Sequence, residues 1–239
     1  MKYIGVDGCH YGWFAVILEE DSNQPDVDVF KNISELWNKY KDAKLILIDI
    51  PIGLRDSGAE ERLCDKAARK FLGQKRGCSV FRVPCRSAVY ASKDKANEIN
   101  CNKTGKCISE QTKNISSKIK QVDELLCKHP EARLNVREIH PEICFWALNG
   151  KNPMEYNKKK KAGFCERKQT LCYVYPHTDE LTNKAENEFC RKDVAKDDIL
   201  DALVAAIIAS QGKNKLKSLP KTPEIDRKGL PMQMLYYPA

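Results

Sequence analysis

Residues 197–209 read Asp-Asp-Ile-Leu-Asp-Ala-Leu-Val-Ala-Ala-Ile-Ile-Ala, a helical pattern that is apolar on nearly every side. A helix of this kind is largely buried, and a buried carboxylate needs a cation, a proton or several hydrogen-bond donors. Asp198 and Asp201 are three residues apart, so they share one face of the predicted helix. The stretch therefore predicts a central helix that brings acids to one end of the core.

Two apolar runs earlier in the chain also end in an acid. Residues 3–6, Tyr-Ile-Gly-Val, lead to Asp7, and residues 45–48, Leu-Ile-Leu-Ile, lead to Asp49. The second run is continuously apolar, as strands buried on both faces of a sheet are. Hard divalent cations prefer oxygen ligands, so three apolar elements that each deliver acid to one end predict a bound metal.

The rest of the chain alternates between strand and helix patterns. A turn bounded by Gly8 and Gly12 predicts a hairpin of residues 2–7 and 13–18. The other predicted elements are an edge strand at Asp26–Phe30, a strand at 134–139, and helices at Ile33–Tyr40, 63–71, 108–129 and 141–150. This order predicts an α/β fold, a mixed sheet with antiparallel first strands and then parallel strands, flanked by helices. We expect one domain over residues 1–239, with a helical and loop insertion at about residues 55–107, a polar loop at 151–163 and a proline-bearing tail.

Composition places few limits on function. Basic residues outnumber acidic ones by 41 to 33, a net charge of +8 that fits a nucleic-acid partner and equally a solvated, lysine-rich surface. No run of eighteen apolar residues occurs, and the N-terminus enters a strand pattern at once, so we expect a cytoplasmic protein without a membrane partner. The eleven cysteines include no Cys-x-x-Cys pair and are expected to be reduced thiols, with a structural metal at Cys101 and Cys107 as the lesser alternative.

Five short motifs in this order resemble a family of uncharacterised predicted nucleases with a ribonuclease H-like fold. They are Ile4-Gly5-Val6-Asp7, Gly12-Trp13, Ile48-Asp49-Ile50-Pro51-Ile52-Gly53-Leu54, Arg137-Glu138-Ile139-His140-Pro141-Glu142 and Asp198-Ile199-Leu200-Asp201-Ala202-Leu203. The likeness covers most of the chain and includes Arg62, Asp65, Arg69 and residues 226–230. The resemblance implies a ribonuclease H-like fold and nuclease activity.

Within the same superfamily, the late aspartate pair followed by Ala-Leu is also similar to the last helix of bacterial Holliday-junction resolvases. In those enzymes a first-strand aspartate, a carboxylate after the fourth strand and the late pair hold metal. The resemblance therefore implies a catalytic and metal-binding set of Asp7, Asp49, Asp198 and Asp201. The resolvases use glutamate where this chain has Asp49 followed by Ile-Pro, which shortens the reach toward a metal. Glu138 and Glu142 are expected to complete the ligand set.

This set suits hydrolysis of a phosphodiester bond in a nucleic acid. Charge builds on the entering and leaving oxygens, and two Mg²⁺ or Mn²⁺ ions about 3.5–4 Å apart stabilise both. We predict that Asp7 bridges the two ions while Asp49 and Asp201 hold one each. Asp198 and Glu142 are predicted to coordinate directly or through water.

Weaker candidates surround this set. His140 is a candidate proton shuttle, although a packed histidine would give the same pattern. Arg82 and Arg86 are candidate contacts to substrate phosphate, since guanidinium groups pair well with phosphate oxygens. The lysine run at 158–161 is expected to be solvated, with contact to nucleic acid as the lesser alternative.

Each acid also has a purely structural interpretation. Asp7 and Asp49 could simply accept hydrogen bonds from the turns that follow their strands. Asp198 and Glu142 lie where acids cap helices, and Glu138 could pair with a lysine. Asp201 is the hardest to explain in this way, because it lies one turn inside an apolar helix.

Three other functions remain open at this level. The first is an ATP-dependent phosphotransferase of the actin and sugar-kinase type, in which Gly8 and Gly12 would cradle phosphate and Asp7 would orient Mg²⁺. No second glycine-rich phosphate segment precedes a helix in the C-terminal half, which weighs against it. The others are a non-catalytic nucleic-acid-binding module and a hydrolase of a small phosphorylated metabolite.

Overall fold

The fold is built on a five-stranded mixed sheet. The computed structural model describes residues 1–20, 22 and 24–238. The strands lie in the order β3-β2-β1-β4-β5, with β2 antiparallel to both β1 and β3, and with β4 and β5 parallel to β1. Their bounds are Lys2–Asp7 for β1, Trp13–Glu19 for β2, Asp26–Phe30 for β3, Leu45–Ile48 for β4 and Val136–Glu138 for β5. The predicted hairpin, the edge strand and the mixed sheet are confirmed.

Helices cover both faces of this sheet, and a second, two-stranded antiparallel sheet follows them. The helices are α1 Ile33–Tyr40, α2 Leu63–Arg76, α3 Arg86–Tyr90, α4 Lys93–Thr104, α5 Glu110–Lys128, α6 Pro141–Leu148, α7 Lys161–Val174, α8 Thr178–Glu188 and α9 Lys196–Ser210. The second sheet pairs β6 Lys217–Ile225 with β7 Pro231–Tyr236. Within the described residues, no helix has the length and apolar character needed to cross a membrane.

Alternate residues of the strands face two separate cores. The side chains of Leu45 and Leu47 pack with α9, and those of Ile46 and Ile48 pack with α1 and α5. The contact between β1 and α9 is so close that a Cβ at Gly5 would lie 2.0 Å from the Ala202 carbonyl oxygen. Glycine at this position therefore lets the backbone of α9 rest directly on the centre of the sheet.

Several segments differ from the sequence prediction. The strand β5 is shorter than the predicted 134–139, residues 161–163 of the expected polar loop begin α7, and neither α7 nor α8 was predicted. In α4 the buried residues are Asn100 and Thr104, so no apolar period marks this helix. The proline-bearing tail forms the second sheet: Pro220 and Pro223 lie in β6, and a two-stranded sheet tolerates proline at its free edge.

Candidate functional site

A cavity of about 540 Å³ lies where the first and fourth strands end. Because β1 and β4 are adjacent and parallel, their carboxyl ends meet at one sheet edge, and the Asp49 amide donates to the Val6 carbonyl at 3.0 Å. The start of α9 reaches the same edge. The cavity lining includes every acid that the sequence predicted for the site, namely Asp7, Asp49, Glu138, Glu142, Asp198 and Asp201, together with His140.

Burial and mutual repulsion raise the pKa values of Asp7, Asp49 and Asp198. Burial raises the pKa of Asp7 well above its usual value, and the negative charges of Asp198, Asp49 and Asp201 raise it further. Burial and the neighbouring Asp201 raise the pKa of Asp49 to about 8. The pKa of Asp198 rises to about 6, chiefly through burial. A group of carboxyls that resists ionisation in this way attracts cations.

The positively charged side chain of Lys158 lies among the aspartates of the cavity. The ammonium group of Lys158 donates to Asp201 Oδ2 and lies 3.7 Å from Asp197 Oδ2. Its positive charge opposes the effect of burial, which raises the pKa of Asp201. Lys158 therefore departs from the prediction that the run 158–161 is solvated, because its ammonium is paired with acids although its side chain remains 34% exposed. A run of four lysines carries no local signal that one of them turns inward.

Two of the acids also have the structural partners that their positions predicted. Asp7 Oδ1 accepts a hydrogen bond of 2.7 Å from the Gly8 amide. Asp198 Oδ2 accepts one of 2.9 Å from the Ala195 amide at the start of α9. In each case the other carboxylate oxygen has no hydrogen-bond partner among the described residues. The structural and the metal-binding interpretations are therefore compatible for both residues.

Glu142 is held by a cation that the sequence did not single out. Arg167 of α7, 1% exposed, donates to Glu142 Oε1. The second oxygen, Oε2, is buried and has no hydrogen-bond partner within the described chain. A buried carboxylate oxygen without a donor is costly, and a bound cation would satisfy it.

Glu138 is fully engaged by a buried arginine. Arg62 donates to both of its oxygens, at 2.9 and 2.8 Å, and the Ile52 amide adds a third hydrogen bond of 2.6 Å. Arg62 also binds Asp65, and all three side chains are at most 2% exposed. Side chains alternate along a strand, so Glu138 shares the face of Val136, which packs with α1 and α5 and not with α9. The strand alternation, which the sequence shows, therefore places Glu138 on the sheet face that does not pack with α9, although its side chain still lines the cavity.

One group of three potential ligands lies within 4.8 Å in the described part of the chain. It consists of Cys64, Asp65 and Glu138, all buried. The Arg62 guanidinium joins the two carboxylates of this group and supplies the positive charge that a metal ion would otherwise bring. The carboxylates of Asp7, Asp49 and Asp201 line the same cavity without forming such a compact group.

His140 is held as a neutral side chain. Burial lowers the pKa of its imidazole. Its Nε2 lies 3.4 Å from the Ser79 carbonyl, and its Nδ1 is buried without a partner among the described residues. A neutral ring with one free nitrogen can accept a proton, so its predicted role as a shuttle stays a prediction.

The two arginines predicted to contact phosphate lie outside the cavity lining. Arg86 pairs with Asp226 and, at 3.2 Å, with Asp123, which ties α3 to α5 and to the turn between β6 and β7. Arg82 donates to the Ala59 carbonyl at 2.7 Å. Both guanidinium groups therefore bind the protein itself, and their role as phosphate contacts stays a prediction.

A mixed α/β protein with acids gathered at the carboxyl edge of its sheet is the class that this architecture defines. Residues 5–225 match a family described as protein of unknown function (DUF429), and the chain belongs to that family. Comparison with curated proteins and with solved structures found no match.

Proposed function

We propose that the protein is a divalent-metal-dependent phosphodiesterase of ribonuclease H-like fold that hydrolyses a nucleic acid. The observation that carries the proposal is the meeting of Asp7, Asp49 and Asp201 in one cavity, although they come from three separate elements. The strand order β3-β2-β1-β4-β5, with a final helix laid across its centre, supports the fold assignment.

The donor set fits Mg²⁺ or Mn²⁺. The cavity offers carboxylate oxygens, the ligands that these hard cations prefer. The pKa values of Asp7 and Asp49 are raised by burial and by the negative charge of neighbouring acids. The unpartnered Oε2 of Glu142 provides a further oxygen. Among the described residues, no three of these aspartates place ligand atoms within 4.8 Å of one another, so a single ion would not be held by all of them.

We assign the ligand roles accordingly. Asp7, Asp49 and Asp201 would hold the ions, with Asp198 and Glu142 at the margin of the set. Bound divalent cations supply charge stabilisation to the entering and leaving oxygens of a phosphodiester. His140 would accept a proton at its free Nδ1, since its ring is neutral and lines the cavity.

One basic residue of the cavity lining, Lys159, is placed to receive substrate phosphate. Lys159 lines the cavity, and its exposed ammonium has no partner among the described residues. Lys118 has a different role, because its ammonium donates to the carbonyls of Cys9 and Gly12 and holds the turn between β1 and β2. Electrostatic attraction of nucleic acid to such a rim is weakened by salt.

The turn between β1 and β2 weighs against the phosphotransferase alternative. A Cβ at Gly8 would lie 2.5 Å from the Lys118 side chain, so this glycine makes room for the lysine of the neighbouring helix. In a phosphotransferase the same turn would have to remain open to a nucleotide phosphate.

Cleavage assays with purified protein test the proposal. Single-stranded, duplex, hybrid and branched nucleic acids are incubated with Mn²⁺, and we expect products that EDTA abolishes. Asp7→Asn and Asp201→Asn should each lower the rate by at least ~100-fold with folding intact, because each removes a metal ligand. Asp42→Asn changes an exposed aspartate outside the cavity and should leave the rate unchanged.

Other outcomes separate the alternatives. Equal rates for the wild type and the site variants would identify a contaminating nuclease. Nucleotide-dependent thermal stabilisation without cleavage would support a phosphotransferase, and strongly salt-dependent binding without products would support a binding module. Hydrolysis confined to small phosphorylated compounds would redirect the assignment to a metabolite hydrolase.

A further inference from the structure

Cys101 and Cys107 lie opposite each other across a turn, outside the lining of the cavity that holds the aspartates. The helix α4 ends at Thr104, and Gly105 follows in the left-handed conformation with φ 68°. The turn brings Cys101 Sγ to 2.8 Å from Cys107 Sγ. Cys101 is half-buried and Cys107 is exposed, so small molecules in solution can reach the pair.

A buried polar network fixes the backbone on both sides of this turn. Asn100, 2% exposed, donates to the Lys106 carbonyl at 2.7 Å and accepts from the Cys85 amide at 2.9 Å. The Thr104 hydroxyl donates to the Asn100 carbonyl at 2.8 Å, and the Gly105 amide donates to the Cys101 carbonyl at 2.8 Å. The fold therefore holds the two thiols together before any bond forms, which raises their effective concentration toward each other.

The surroundings of the pair do not favour a metal site. A structural metal at Cys101 and Cys107 was the lesser expectation from the sequence. Within the described residues, the group of three potential ligands that lie within 4.8 Å is at Cys64, Asp65 and Glu138, and the pair lacks a third ligand. Structural zinc sites need four protein ligands, so two thiols alone are insufficient.

We propose that Cys101 and Cys107 form a reversible disulfide by exchange with a small disulfide such as glutathione disulfide. The Cys107 thiolate attacks one glutathione sulfur, the sulfur–sulfur bond of glutathione disulfide breaks, and one glutathione leaves as its thiolate. The Cys101 thiolate then attacks the Cys107 sulfur and releases the second glutathione. The two cysteines lose two protons and two electrons in total, and glutathione disulfide takes them up to become two glutathiones.

The disulfide would connect the end of α4 to the segment that leads into α5. That segment is already anchored, since the Ile108 amide donates to Asn97 Oδ1 at 2.9 Å and Ile108 packs with Cys85 and Ala88. The cross-link closes a short loop around Gly105 and restricts the unfolded chain more than the folded one. Oxidation is therefore expected to stabilise this part of the fold without rearranging it.

Mass spectrometry of the whole protein after equilibration with glutathione disulfide tests the proposal. Trypsin cleaves after Lys103 and Lys106, which lie between the two cysteines. Peptides that contain Cys101 and Cys107 should therefore stay joined after digestion, with a mass about 2 Da below the sum of the two thiol forms, and separate on reduction. Iodoacetamide labelling of both thiols in the equilibrated protein would overturn the proposal, as would stoichiometric zinc that protects them.

Single variants test the order of the two steps. In Cys101→Ser the resolving thiol is missing, so Cys107 should retain one glutathione and gain about 305 Da. Cys165→Ser removes an exposed cysteine outside the pair and should leave the joined peptides unchanged. If Cys107 of the wild-type protein also keeps glutathione, then Cys101 does not resolve the mixed disulfide. That result would overturn the proposal.

Discussion

Replacing Lys158 with methionine removes the cation that lies among the acids while keeping most of its length. The lysine ammonium binds Asp201, whose side chain is 2% exposed, and a divalent ion at that carboxylate has to displace it. Two unit charges ~4 Å apart interact by ~4 kcal/mol at an effective dielectric constant of ~20. The lysine side chain is 34% exposed, and solvent screening lowers this to ~1.5 kcal/mol. We therefore expect Lys158→Met to bind Mn²⁺ about tenfold more tightly, since ~1.4 kcal/mol corresponds to a factor of ten.

Calorimetric titration of the metal-free protein with Mn²⁺ at constant ionic strength measures this change directly. Lys160→Met is the matched control, because it removes the same charge from an exposed position in the same lysine run. Its affinity should stay within about twofold of the wild type, since charges exposed to solvent are largely screened. Unchanged or weaker Mn²⁺ binding by Lys158→Met, relative to Lys160→Met, would refute the idea that the ammonium competes with a metal.

Three further predictions concern stability. With EDTA present, the melting temperature should fall as the pH rises from about 5 to about 8. Burial and Asp201 raise the pKa of Asp49 to about 8. The folded state therefore binds more protons than the unfolded state in this pH range, and it loses stability as they dissociate. Asp49→Asn should flatten this slope in scanning calorimetry, and a melting temperature that rises with pH would contradict the assignment. Arg62→Met should lower the free energy of unfolding in urea by ~3–5 kcal/mol, since it leaves Asp65 and Glu138 buried without their cation. Arg227→Met is the control: this side chain is 82% exposed, and the change should stay within ~0.5 kcal/mol. Gly5→Val should cost at least ~1–3 kcal/mol in the same assay, because its Cβ would lie 2.0 Å from the Ala202 carbonyl oxygen, and a stable variant would mean that α9 can move off the sheet.

The elements that the sequence predicted well are those with a strong local pattern. Ile33–Tyr40 has a helical apolar period and forms α1, and Asp26–Phe30 alternates and forms the edge strand. By contrast, α4 buries polar residues and α8 buries few apolar ones, so the sequence of neither helix shows a helical hydrophobic periodicity. The fold class was predictable because the strongest patterns belong to the elements that build the main sheet.

In the candidate site, too, the sequence predicted the residues that stand in a clear local pattern and missed those that do not. Asp7 and Asp49 could be placed together because both end apolar strands, and Asp201 could be added because an acid inside an apolar helix requires a partner. The alternation of side chains along β5 predicts that Glu138 shares the sheet face of Val136, which does not pack with α9. Nothing local to Lys158 or Arg167 marks either residue as a partner of an acid.

The sequence by itself determined which elements end in acids, because apolar periodicity and strand ends are properties of neighbouring residues. Only the tertiary structure decided which charges meet. It brings Lys158 to Asp201 across 43 positions and Arg62 to Glu138 across 76, and it turns two thiols toward each other around Gly105. Such pairings depend on how helices and loops pack in three dimensions. A contact between residues far apart in the chain produces no repeating sequence pattern in either segment.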